Sequence, residues 1–186
     1  MLNDTRGARI LVVLSWIVLS GAAGCSQRSG LMVAGPDAAL PGNEDSAGFL
    51  DRMSSGAKVT ENDAMRGVLL LMDGKDATKT FQERVKLLVD RKVVDPCWEF
   101  GSHRAITRGR LAYMVYQACK VRGGLMLAIT GPNQRYCLRE LEYQKIMSEG
   151  TMLTEVTGME FVAVIGRADA FMRDKKIPTV LMGKEG

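Results

Sequence analysis

Apolar positions along this chain recur mostly at helical spacing. Leu111, Met114, Val115 and Ala118 stand at i, i+3, i+4 and i+7, which predicts a helix within residues 105–120 with one apolar face. Thr107 is placed to cap it, its hydroxyl accepting from a backbone N–H of the first turn. Gly123-Gly124 is expected to end it, since glycine accepts the left-handed conformation past a helix C-terminus. Phe81–Asp90 carries Phe81, Val85 and Leu88 on one face and predicts a second helix. The segment between them, residues 91–104, contains Pro96, Trp98 and Phe100 and predicts a long loop.

The same pattern returns on both sides. Thr107 to Ala118 aligns without a gap on Thr157 to Ala168, matching Leu111 with Phe161, Met114 with Val164 and Val115 with Ile165. Thr157 with Glu160 forms a capping-box pattern. Residues 133–147 predict the helix that precedes this second copy, with Pro132 suited to its first turn. A third capped helix is predicted over residues 60–74, with Thr60 as cap, Asp63 as the acid of the box and Gly74 as the stop. The chain therefore reads as half a helix–loop–helix unit followed by two whole units. Such units are too small to bury their own faces and must stack.

The front of the chain follows other rules. Arg6 and Arg9 precede an apolar run over residues 10–19, shorter than the roughly 20 residues that a spanning helix needs. Small residues then lead to Cys25. Ala22-Ala23-Gly24-Cys25 resembles the lipobox of bacterial lipoproteins, departing from it at Ala22, where Leu is usual. That resemblance implies cleavage before Cys25, acyl chains of the palmitate kind on Cys25 and attachment to a membrane; an ordinary secretory signal is the alternative. Ser26, rather than Asp, follows the cysteine and resembles the pattern sent to the outer membrane where a cell has two. Residues 26–57 are rich in Gly, Ser, Ala and Pro and predict a flexible tether. Phe49, Leu50 and Met53 predict a short helix near its end.

The order FQERVKLLVDRKVVDP, then Phe100, then AITRGRLAYMVYQA resembles an S-layer homology domain. The turn is Lys92-Val93-Val94, the loop aromatic is Phe100, and the motif is Ile106-Thr107-Arg108-Gly109-Arg110. The resemblance covers residues 81–121 well, 133–171 loosely and 59–74 as half a unit. It implies helical modules that bind cell-wall polymers in grooves between units. The departures bear on that implication: the motif arginine is kept as Arg108, but Gly158 takes its place in the last unit. The motif glutamate is replaced by Arg110 in the middle unit and kept as Glu160 in the last.

Composition narrows the chemistry. The formal net charge is +4, and removing residues 1–24 takes away two arginines and one aspartate, which leaves a mild excess. Nucleic-acid binding would need a concentrated basic face. The densest basic cluster is Arg104, Arg108 and Arg110 with His103, either a solvated helix start or an anion or glycan contact. His103 is the single histidine, so no His-based metal site or Ser/His/Asp triad is nominated. No phosphate loop and no Cys-x-x-Cys occurs, and residues 72–78 read as a helix end and turn. Glu140 and Glu142 point to different helix faces. After Cys25, an exported chain could pair two of Cys97, Cys119 and Cys137; Cys119 and Cys137 also read as buried small hydrophobes. The twelve methionines stand mostly on helical apolar faces, where core packing is the default reading.

These readings give an all-α fold: a leader over residues 1–24, a tether over 25–57, a half-unit over 58–76, two helix–loop–helix units over 79–124 and 130–175, and a tail over 176–186. The expected role is a non-enzymatic, lipid-anchored envelope protein with no cofactor and no metal. Its partners would be the membrane, through Cys25, and a cell-wall polymer or envelope protein. Arg108, Thr107, Arg104 and Trp98 are the candidate contacts; Thr107 also reads as a plain cap and Trp98 as core. A small envelope hydrolase, a small-molecule binder and a structural spacer are the alternatives.

Overall fold

The computed structural model describes residues 33–34, 45–55 and 58–176. The fold is all-α. Seven helices stand among the described residues: α1 (Ser46–Ser54), α2 (Glu61–Asp73), α3 (Phe81–Asp90), α4 (Arg108–Ala118), α5 (Leu125–Thr130), α6 (Gln134–Tyr143) and α7 (Gly158–Lys176). The extended elements are two-residue pieces, β1 (Val33–Ala34) and β2 (Phe100–Gly101), paired in parallel.

Three extended segments organise the helices. Each leads directly into a capped helix, and the three bond to one another in a closed ring. Ile106 N–H donates to the Val59 carbonyl at 2.9 Å, Val156 N–H to Ile106 at 3.1 Å, and Val59 N–H to Val156 at 3.3 Å. Backbone polar groups sunk in a core must find partners, and here each segment supplies them to the next. Val59, Ile106 and Val156 are all buried, so the ring lies inside the apolar core. Thr60, Thr107 and Thr157 then start α2, α4 and α7, their hydroxyls accepting from the N–H of Asp63, Arg110 and Glu160 at 3.1, 3.4 and 3.3 Å. At Thr60 the capping box is complete, and Gly74 ends α2 in the left-handed conformation at φ 72°. At Thr157 only half the expected box is made, because the Glu160 carboxylate reaches Arg108 instead.

The helices that precede α4 and α7 share one stop. After α3, Lys92 takes φ 59°, and the N–H groups of Val93 and Val94 both donate to Leu88. After α6, Lys145 takes φ 59°, and Ile146 and Met147 both donate to Leu141. The reversal drives Val93, Val94, Ile146 and Met147 into the core. Lysine holds these left-handed positions, at a cost of roughly 1–2 kcal/mol each for a residue with a Cβ.

The structure moves several expected boundaries. α4 stops at Ala118, with Lys120 at φ 48°, so Gly123-Gly124 does not end it. Gly124 instead starts α5, a helix that the apolar periodicity does not predict. Gly123 is needed for close approach: a Cβ there would lie 2.5 Å from Leu127. α6 ends at Tyr143, short of residue 147, and Pro132 lies just before its cap, Asn133. The short helix expected near Phe49 is α1, and it belongs to the core rather than to a tether. Phe49 and Met53 are buried, and the Phe49 ring meets Phe161 of α7 edge-on at 6.3 Å between centroids. Asp45 caps α1, accepting from Gly48 N–H at 2.8 Å.

Candidate binding site

The N-terminal turns of α2, α4 and α7 bring charged residues to the seams between the ring segments. Counting from each capping threonine, the first position of one helix meets the third position of the next. Glu61 pairs with Arg110, and Arg108 pairs with Glu160. The remaining seam would set Gly158 against Asp63. Gly158 has no side chain to offer, and Asp63 serves the Thr60 cap and lies 3.9 Å from Arg52.

Arg108, the motif arginine, is buried. Its guanidinium donates to Glu160 and to the Ser148 carbonyl. Gly150 makes room for it, since a Cβ there would lie 2.9 Å from the guanidinium. Thr107 is half-buried, works as the α4 cap, and bridges Glu155 through its backbone. Neither side chain faces solvent freely.

Trp98 and Arg104 gather at the Glu61–Arg110 seam. Trp98 is half-buried; its ring meets Tyr113 edge-on at 5.2 Å, and the Arg110 guanidinium sits 5.0 Å from its centroid. Burial raises the Tyr113 pKa above its usual value. Arg104 keeps 42% of its side chain exposed and donates to the Glu99 carbonyl at 2.9 Å. Arg110 donates to the same carbonyl at 3.0 Å. Behind them Glu61 is buried and accepts from Gly101 N–H at 2.9 Å. His103 is exposed on the adjoining turn. This edge combines an aromatic side chain with guanidinium donors that still reach water.

Glu61 is not among the expected contacts, and Arg110 enters them only through the basic cluster. The signal for them lay in the aligned copies, where the first and third positions after the capping threonine are Glu61 and Asp63, then Arg108 and Arg110, then Gly158 and Glu160, so that the sign of the charge changes from one copy to the next. A second polar cluster ties α3 to α2. Buried Arg84 donates to Asn62 and Asp76, and burial lowers its pKa while Asp76 opposes that shift.

The cysteines divide. Cys119 and Cys137 are free, buried thiols, with pKa values pushed up by burial to about 11 and about 12. With both of these thiols free, none of the three pairings among Cys97, Cys119 and Cys137 forms. Cys25 and the leader lie outside the described residues.

A shallow cleft of about 290 Å³ lies elsewhere, lined by Val121, Arg122, Gln144, Phe171, Asp174 and Lys175. Among the described residues no group of three His, Cys, Asp or Glu side chains is placed to hold a metal ion. Among them, too, no helix is long and apolar enough to cross a membrane. No family model, curated protein or solved structure matches the chain.

Proposed function

We propose that this is a non-enzymatic, lipid-anchored envelope protein whose helical domain binds a cell-wall glycan or an envelope protein at the Trp98–Arg104 edge. One observation carries the reading: Trp98, half-buried and braced by Arg110 and Tyr113, stands beside the partly exposed Arg104. A rigid aromatic face with neighbouring donors suits a ligand that is apolar on one side and rich in hydroxyls or carbonyls on the other. The three capped helices and the shared stop after α3 and α6 support reading the units as divergent S-layer homology-like copies. Arg108 is committed to Glu160, so the weight of recognition moves to Arg104 and Trp98.

Co-sedimentation of the full chain, in detergent, with purified cell-wall sacculi tests the site. The expected result is sedimentation that falls about tenfold in Trp98→Ala and Arg104→Ala, the effect of losing about 1.4 kcal/mol. Failure of the parent chain to sediment would remove the glycan half of the proposal. The anchor has a separate test: Cys25→Ser is expected to abolish lipid labelling and release the protein from membranes. Recovery of Cys25 in a disulfide-linked peptide would overturn the lipid reading, because one sulfur holds only one of the two.

A further inference from the structure

Soluble domains rarely leave adjacent large apolar side chains in water. On α5, Leu125 is 75% exposed, Met126 50% and Ile129 70%. Leu127, at 8%, pins the helix to the body. Ala128 N–H donates to the Gly124 carbonyl, and Gly131 N–H to the Leu127 carbonyl. Thr130 Oγ1 donates inward to the Met126 carbonyl at 2.7 Å. The outer face thus offers the hydrocarbon of Leu125, Met126 and Ile129. Tyr143 is also exposed, one turn beyond Glu140, whose carboxylate accepts from the N–H at the start of α5.

Charge indicates what covers this face. Between Glu99 and Glu140 the chain contains no Asp or Glu and seven Lys or Arg. Arg108 and Arg110 are neutralised within the fold, and Arg104 and Arg139 have carboxylate neighbours. Lys120 and Arg122 before α5, and Arg135 after it, are exposed. An aliphatic helix flanked by these cations, with the Glu140 carboxylate engaged by Gly124 N–H and the Gln144 amide, complements a surface that is apolar beneath and negative on top.

We propose that α5 docks on the surface of an anionic phospholipid membrane. Leu125, Met126 and Ile129 enter the acyl boundary, while Lys120, Arg122 and Arg135 meet lipid phosphates. The inference rests on the α5 face and requires neither the glycan site nor the lipid on Cys25. If the anchor is also present, α5 fixes which side of the domain faces the bilayer.

Hydrogen exchange of the full chain, with and without vesicles, reads this locally. Attachment through the N-terminal region alone leaves α5 amides unchanged. The expected result is exchange over Leu125–Thr130 slowed about tenfold on phosphatidylglycerol vesicles and little changed on phosphatidylcholine. The Leu125→Asp, Ile129→Asp double variant is expected to lose that protection while the amides of Val59, Ile106 and Val156 stay protected, which shows an intact fold. Equal exchange in all conditions would overturn the proposal, as would equal protection on both lipids. Protection that rises with protein concentration without lipid would also overturn it and assign the face to a second copy of the chain.

Discussion

The Glu61–Arg110 and Arg108–Glu160 seams use the same two positions with the charges exchanged. In the first the acid is sunk, with Glu61 at 2% side-chain exposure against 19% for Arg110. In the second the base is sunk, with Arg108 at 6% against 21% for Glu160. The backbone frame thus accepts either polarity, provided that the first position after the capping threonine carries the buried charge and the third covers it. Fixed elements complete each buried charge: Gly101 N–H donates to Glu61, and the Ser148 carbonyl accepts from Arg108. The inner member of each pair is therefore held from two sides. Removing the outer member strands a charge in the protein, which costs more than the pair contributes.

The largest expected effect breaks the first seam. Arg110→Ala is expected to lower stability by about 3 kcal/mol by leaving Glu61 unpaired, and Glu160→Ala by about 2 kcal/mol, since Arg108 keeps the Ser148 carbonyl. Urea midpoints measure both. Adding Glu61→Gln to Arg110→Ala is expected to recover about half of the loss, because it removes the stranded charge. No recovery would mean that Arg110 acts by packing on Trp98 instead.

A smaller effect belongs to the two buried thiols. Cys119 and Cys137 titrate from about 11 and about 12 in the fold, against 9.0 when unburied. A raised thiol pKa favours the folded state fully below pH 9. That advantage is lost as pH rises from 9 toward the folded values, because the unfolded chain then releases protons that the folded chain holds. Stability at pH 10 is expected to be lower than at pH 8 by about 1 kcal/mol per thiol, and Cys137→Ala is expected to flatten the slope.

The smallest effect concerns the stops shared by α3 and α6. Lys92→Gly and Lys145→Gly are each expected to stabilise by about 0.5 kcal/mol, the relief of a left-handed lysine offset by the greater freedom of glycine in the unfolded chain. Thermal midpoints of the single and double variants check this, and additivity would show that the two turns act independently.

Side-chain rules made much of this fold legible in the sequence. The bounds of α3, the Thr60–Asp63 box, the Gly74 stop and the pairing of Thr107 with Thr157 follow from capping chemistry and apolar spacing. What escaped was written in the backbone. Lys92, Lys120 and Lys145 end helices where glycine is the expected signal, so Gly123-Gly124 was read as the stop in place of Lys120. The six residues of α5 are too few to show a period, and its apolar face points away from the core. α1 offers few apolar positions inside a Gly- and Ser-rich stretch, although two of them are fully packed. At the candidate site, Trp98 and Arg104 were legible from residue type and loop position. The burial of Arg108 was not, because it depends on Gly150 and Ser148, some forty residues along the chain.

The ring joining Val59, Ile106 and Val156 also sets an order of events for a chain made and moved from its N-terminus. Val59 must wait for Val156 before its N–H finds its acceptor, and almost the whole described domain separates them. A chain emerging from the ribosome, or threaded through any narrow channel, can form α2, α3 and α4 locally, but it cannot close the ring until α7 has begun to appear. Until then the domain remains open and pliable enough to be threaded, and it locks only once nearly all of it is through.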